Sequence, residues 1–155
     1  MRKRTIARVL AVALGAALAL GALAGCQSPA TGATDQQQAN RTYMTKVNQA
    51  VEELNTRLGE FDEAVAQESV VNMRNKANSA FEAIDALAAI DTPDAMKDLQ
   101  TNYVDGCNKL KDALNSYIDL YTEISSATEE APFDFSAYDG RVKEIQDAYT
   151  RASTN

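Results

Sequence analysis

The chain has 155 residues, with 15 Lys and Arg against 22 Asp and Glu, a net charge of −7, and no His at all. Without an imidazole, Ser-His and Cys-His nucleophile pairs cannot be assembled, nor can the His-containing ligand sets of zinc sites and di-iron bundles. An acidic balance repels the phosphate backbone and anionic headgroups, so nucleic-acid binding is set aside as well.

The N-terminus has three zones: a cationic start at Arg2, Lys3, Arg4 and Arg8, an apolar run from Val9 to about Leu20, and a mostly small-residue stretch over 21–25. These are the parts of a secretory signal peptide. The apolar run is shorter than the roughly 20 residues a bilayer-spanning helix needs, and its charges lie on the side that stays cytoplasmic. Leu23-Ala24-Gly25-Cys26 then closes the run.

That tetrapeptide in that context resembles the lipobox of bacterial lipoprotein precursors. The resemblance covers residues 1–26 and implies cleavage between Gly25 and Cys26. It further implies a diacylglyceryl group on the Cys26 thiol, with an N-acyl chain in some members, and no other cofactor. The protein would then sit on the outer face of the cell membrane, anchored by lipid. In a Gram-negative source, Gln27 after the Cys would favour the outer membrane. The alternative is an ordinary secretory signal cut near Ala24 or Ala30.

Two acyl chains hold a protein at a membrane where one gives only marginal binding, since each buried methylene contributes about 0.8 kcal/mol. Removing residues 1–25 takes four basic residues and no acidic one, which leaves 11 positive against 22 negative charges, a net of −11. Acylating Cys26 also leaves Cys107 without a disulfide partner. With Tyr103 and Leu110 as helical neighbours, Cys107 reads as a small core residue, against a redox or intermolecular role.

Residues 26–39 read as a flexible tether carrying the acylated Cys. Gln27 to Ala39 is rich in Gln, Ala, Thr, Ser and Gly, with Pro29 and no large apolar side chain. Its root-mean-square span would be on the order of 20 Å. Residues 40–155 read as one helical domain. Met44, Val47, Val51, Leu54, Leu58, Phe61 and Val65 step by three and four along one stripe. A second stripe, Val70, Met73, Ala77, Ala80, Ile84 and Leu87, with Phe81 and Ala88 alongside, is out of phase with the first. Either a turn near Gln67 to Ser69 or a stutter in one long helix explains the shift.

Thr92-Pro93-Asp94 predicts the next helix start, with Thr92 as N-cap and Pro93 in the first helical position. The stripe that follows is Met96, Leu99, Tyr103, Cys107, Leu110, Leu114, Tyr117, Tyr121 and Ile124, with Gly106 as a place for a neighbouring helix to come close. Ser136 and Asp139 resemble a capping box that opens a last helix with Tyr138, Val142, Ile145, Tyr149 and Ala152 inward. Four helices and no strand candidate predict an all-α, up-and-down antiparallel bundle.

No inward position is a carboxylate, and no Gly-rich run precedes a helix. The sequence therefore predicts a non-enzymatic module that contacts an envelope protein or a wall component. A bundle that binds an apolar or amphipathic small molecule is the alternative. Phe133 and Phe135, which flank Asp134 in an acidic connection, are the candidate partner contacts, unless both rings fold back to cap the bundle. The tyrosines at 103, 117, 121, 138 and 149 suit a core seam or, alternatively, a pocket.

Overall fold

The computed structural model describes residues 34–153, which form four α-helices with no strand among them. Helix α1 spans Asp35–Ala66, α2 Val70–Ala88, α3 Lys97–Ser126 and α4 Tyr138–Ser153. They fold as an all-α, up-and-down antiparallel bundle. The lipobox and most of the tether lie outside the described residues. Among the described residues no helix is long and apolar enough to cross a membrane.

Helix α1 begins inside the stretch assigned to the tether. Thr34 Oγ1 accepts from the Gln37 backbone N–H at 3.3 Å, and Gln37 Oε1 accepts from the Thr34 N–H at 3.2 Å, a reciprocal capping box. The first turn is Asp35-Gln36-Gln37-Gln38, an acid favoured by the helix N-terminus and three good helix formers, with no apolar face. Apolar periodicity cannot register such a turn.

Gln67 to Ser69 is a turn and not a stutter. Glu68 takes the left-handed conformation with φ 56°, and Ser69 caps α2 by accepting from the Asn72 N–H at 3.4 Å. The backbone thus reverses without Gly or Pro.

The next two helix starts differ from expectation, α3 by one turn and α4 in its capping residue. Thr92 does not cap α3; its hydroxyl donates to the Ile90 carbonyl at 2.9 Å. After Pro93 comes a single 3-10 turn, Asp94–Met96, so the α-helix begins only at Lys97. Before α4 the cap is Asp134 in place of Ser136: its carboxylate accepts from the Ser136 N–H at 2.8 Å and opens a 3-10 turn over Phe135–Ala137.

Side-chain pairs fix the order of the helices. Lys76 reaches Glu60 at 2.9 Å across α1 and α2, and Arg74 reaches Asp119 at 2.9 Å across α2 and α3. Lys111 and Asp85 join α2 and α3 again, and Arg141 and Glu123 join α3 to α4. These exposed pairs align the helices more than they stabilise them. Helices α1 and α3 run parallel across the bundle, because Tyr43 bonds Gln100 and Phe61 packs edge-on against Tyr117 with ring centroids 6.0 Å apart.

The interior has two parts. Tyr43, Val47, Val51 and Leu87 form a small cluster at the end where α1 begins. Leu54, Phe61, Val65, Met73, Ile84, Leu110, Leu114, Tyr117, Ile145 and Tyr149 belong to the larger one, which all four helices enter. Helix α4 runs back along the C-terminal half of α3 only, so the first part is enclosed by three helices. Burying each large apolar side chain contributes about 1.5–3 kcal/mol.

Most of the expected stripes are inward, Met44 and Leu58 being half-buried at their edges. Leu99 is a correction: it stands 39% exposed, and Gln100 is buried in its place. Ala88 is also exposed, and the side chain of Ala152 lies outside the described residues. Cys107 is a free, buried thiol next to buried Gly106, and burial raises its pKa above the ordinary value.

Candidate functional site

The end of the bundle opposite the start of α1 is built from the 67–69 turn, the last turn of α3 and the connection into α4. That connection is braced locally. The Thr128 N–H donates to the Ala131 carbonyl at 3.1 Å, and the Thr128 hydroxyl accepts from the Ala131 N–H at 3.1 Å. Arg141 holds the start of α4 against α3 through two bonds to Glu123, at 2.5 and 2.9 Å. The guanidinium keeps the Glu123 carboxyl below the usual carboxylate range.

On this brace the two phenylalanines part company. Phe133 is half-buried and packs against the main core, whereas Phe135 is 55% exposed. Their rings meet edge to face with centroids 4.9 Å apart, and Tyr138 stands 6.3 Å from Phe133 and 6.1 Å from Phe135. Of the two expected partner contacts, Phe133 is the foundation and Phe135 the presented ring. Tyr138, read from sequence as an inward residue and as one of the tyrosines of a core seam or pocket, is the third member of this cluster.

The surroundings are acidic. Glu129, Glu130, Asp134 and Asp139 are all exposed, and no Lys or Arg lies between 127 and 139. Asp134 is held below the usual range by the Ser136 N–H it accepts. Among the described residues none of these four carboxylates forms an ion pair. Val71, 70% exposed at the start of α2, belongs to the same end of the bundle.

Beneath this tip the tyrosines behave as a seam. Tyr117, Tyr121 and Tyr149 are buried, with Tyr117 and Tyr121 stacked at 6.5 Å, while Tyr103 and Tyr138 are half-buried. Loss of hydration is the leading cause that raises the pKa of each. The hydroxyl oxygens of Tyr117 and Tyr138 are buried without a hydrogen-bond partner among the described residues.

An open groove of about 400 Å³ runs between α3 and α4, floored by Ala113, Ile145 and Ala148 and walled by Asp112, Asp119, Glu123, Arg141 and Glu144. Among the described residues no group of three or more Cys, Asp or Glu side chains is placed to hold a metal ion. Comparison of the chain with models of protein families, with curated proteins and with solved structures gave no match.

Proposed function

We propose that this protein is a lipid-anchored, extracytoplasmic lipoprotein that works as a non-enzymatic interaction module. Acylated Cys26 holds it to the outer face of the membrane, and the bundle meets another envelope protein or a wall component. The observation that carries the reading is the placement of Phe135. The exposed ring and its acidic surround stand at the end of the bundle opposite Thr34, where the chain arrives from the anchor. An anchored protein would thus turn its most adhesive surface away from the bilayer.

The test joins anchor and partner. Cys26→Ala is expected to release the protein or leave it as uncleaved precursor, with no incorporation of labelled palmitate. Co-purification of the native form from membranes, set against that variant, should identify neighbours that depend on anchoring. Continued acylation of Cys26→Ala would remove the anchor from this account.

A second reading, binding of an amphipathic small molecule, is supported by the α3/α4 groove. Its volume lies within the roughly 300–1,000 Å³ of ligand pockets. The apolar floor and acidic walls would suit an amine-bearing ligand. Protection of the groove residues from hydrogen exchange by such an amine would favour this reading.

A further inference from the structure

We infer that the Phe135 tip recognises a cationic protein segment, one that presents arginine or lysine side chains. This inference rests on the interaction-module reading and names the partner's chemistry. Phe135 keeps more than half of its surface in water although Phe133 and Tyr138 fix its position. Immobilised in advance, the ring loses little conformational freedom on binding.

Charge complementarity selects the partner. Elsewhere among the described residues some carboxylates are paired, as Glu53 is with Arg57, Asp85 with Lys111 and Asp119 with Arg74, and others such as Glu52 and Asp105 are exposed without an ion pair but have no exposed aromatic ring beside them in the chain. The basic residue nearest Phe135 in the chain, Arg141, is engaged by Glu123, and within six residues of Phe135 four carboxylates are exposed. A purely apolar partner would have to strip water from them without compensation. Anionic lipid and nucleic acid would be repelled.

A guanidinium answers both halves of the site, since it lies on the face of an aromatic ring and forms paired hydrogen bonds to a carboxylate. An ammonium makes the same ring contact as a point charge. Arginine should therefore bind more tightly than lysine.

The test uses the mature protein purified in detergent and a fluorescent arginine-glycine repeat peptide, followed by anisotropy. Saturable binding is expected, weaker for the lysine-glycine peptide and absent for glutamine-glycine. Phe135→Ala should weaken binding about five- to tenfold, and Phe135→Leu, which keeps an apolar side chain against Phe133, should lose nearly as much. Glu129→Gln/Glu130→Gln should weaken binding and flatten its salt dependence.

Remote acids supply the control. Glu52→Gln/Asp105→Asn, on exposed positions at the middle of α1 and in the first third of α3, away from the tip, should leave affinity unchanged. Equal losses from the remote and tip variants would overturn the inference, as net charge alone would then account for binding. So would wild-type affinity in both Phe135 variants, or a tip that captures only a second copy of this chain. The assay does not depend on where the protein resides, so a failed anchor and a failed tip give separate results.

Discussion

The Tyr43 hydroxyl donates to Gln100 Oε1 at 2.6 Å, and Gln100 Nε2 donates in turn to the Leu87 carbonyl at 2.9 Å. One buried amide therefore ties α1 and α3 to the last turn of α2, where the Leu87 carbonyl also accepts from the Ile90 N–H at 3.2 Å. The pair sits in the smaller core, where α4 does not reach. Polar groups buried together fix the relative register of the helices that carry them.

Removing one side of this pair should cost more than removing both. Tyr43→Phe leaves the Gln100 oxygen buried and unpaired, and Gln100→Leu strands the phenol. Each should lower stability in urea denaturation by about 1–3 kcal/mol. The double variant should fall short of their sum, with a coupling of about 0.5–3 kcal/mol. Strict additivity would mean the bond contributes nothing.

The main core should not tolerate charge. Leu54 and Leu114 are almost completely buried, so Leu54→Asp or Leu114→Asp would place an unpaired carboxylate in an apolar seam. Cooperative melting followed by circular dichroism should disappear in either variant. Leu114→Ala should retain it with a loss of about 2–5 kcal/mol.

Alkaline pH should unfold the bundle through its tyrosines. Burial raises the folded pKa of Tyr117, Tyr121 and Tyr149 above the ordinary value of 10.0. With a raised folded pKa, the folded state holds its proton where the unfolded chain has lost it. The associated stability is thus complete below about pH 10 and is lost as pH rises beyond it. Phenolate absorbance and loss of helix signal should rise together. Tyr117→Phe should shift that transition to higher pH, and near neutrality it should be neutral or stabilising, because the hydroxyl it removes has no partner among the described residues.

The turn at Glu68 offers a stabilising change. A non-glycine residue in the left-handed region costs roughly 1–2 kcal/mol, which Gly avoids at the expense of a more flexible unfolded chain. Glu68→Gly should therefore stabilise the fold by a net of about 0.5–1 kcal/mol, seen as a higher melting temperature. No gain in thermal melting would show the strain to be relieved by other means.

What the sequence made legible follows from side-chain period. Val47, Val51, Leu54 and Phe61 recur at helical spacing and are buried together, and the phase shift at Gln67 to Ser69 marked a real reversal. The register of polar core residues was less visible. Gln100 lies four positions after Met96 and three before Tyr103, as an inward residue should, yet its polarity gave the place to adjacent Leu99. Tyr43, four before Val47, was passed over for Met44 in the same way.

The tip was half legible. Two Phe around an Asp flagged the segment, but one ring inward and one outward is a tertiary outcome, decided by the Asp134 cap and by packing on Tyr138. The start of α3 was off by a turn, and the cap before α4 by two residues, for a similar reason. A 3-10 turn precedes both α3 and α4, and local capping signals do not separate 3-10 from α geometry.

The short reach of α4 governs how the protein would respond to traction. A pull transmitted through Thr34 loads α1 first where only α2 and α3 flank it, so that portion would peel before the four-helix portion feels strain. Phe135 sits beyond the region that yields, and the loop that carries it would keep its shape while the near end frays and re-forms.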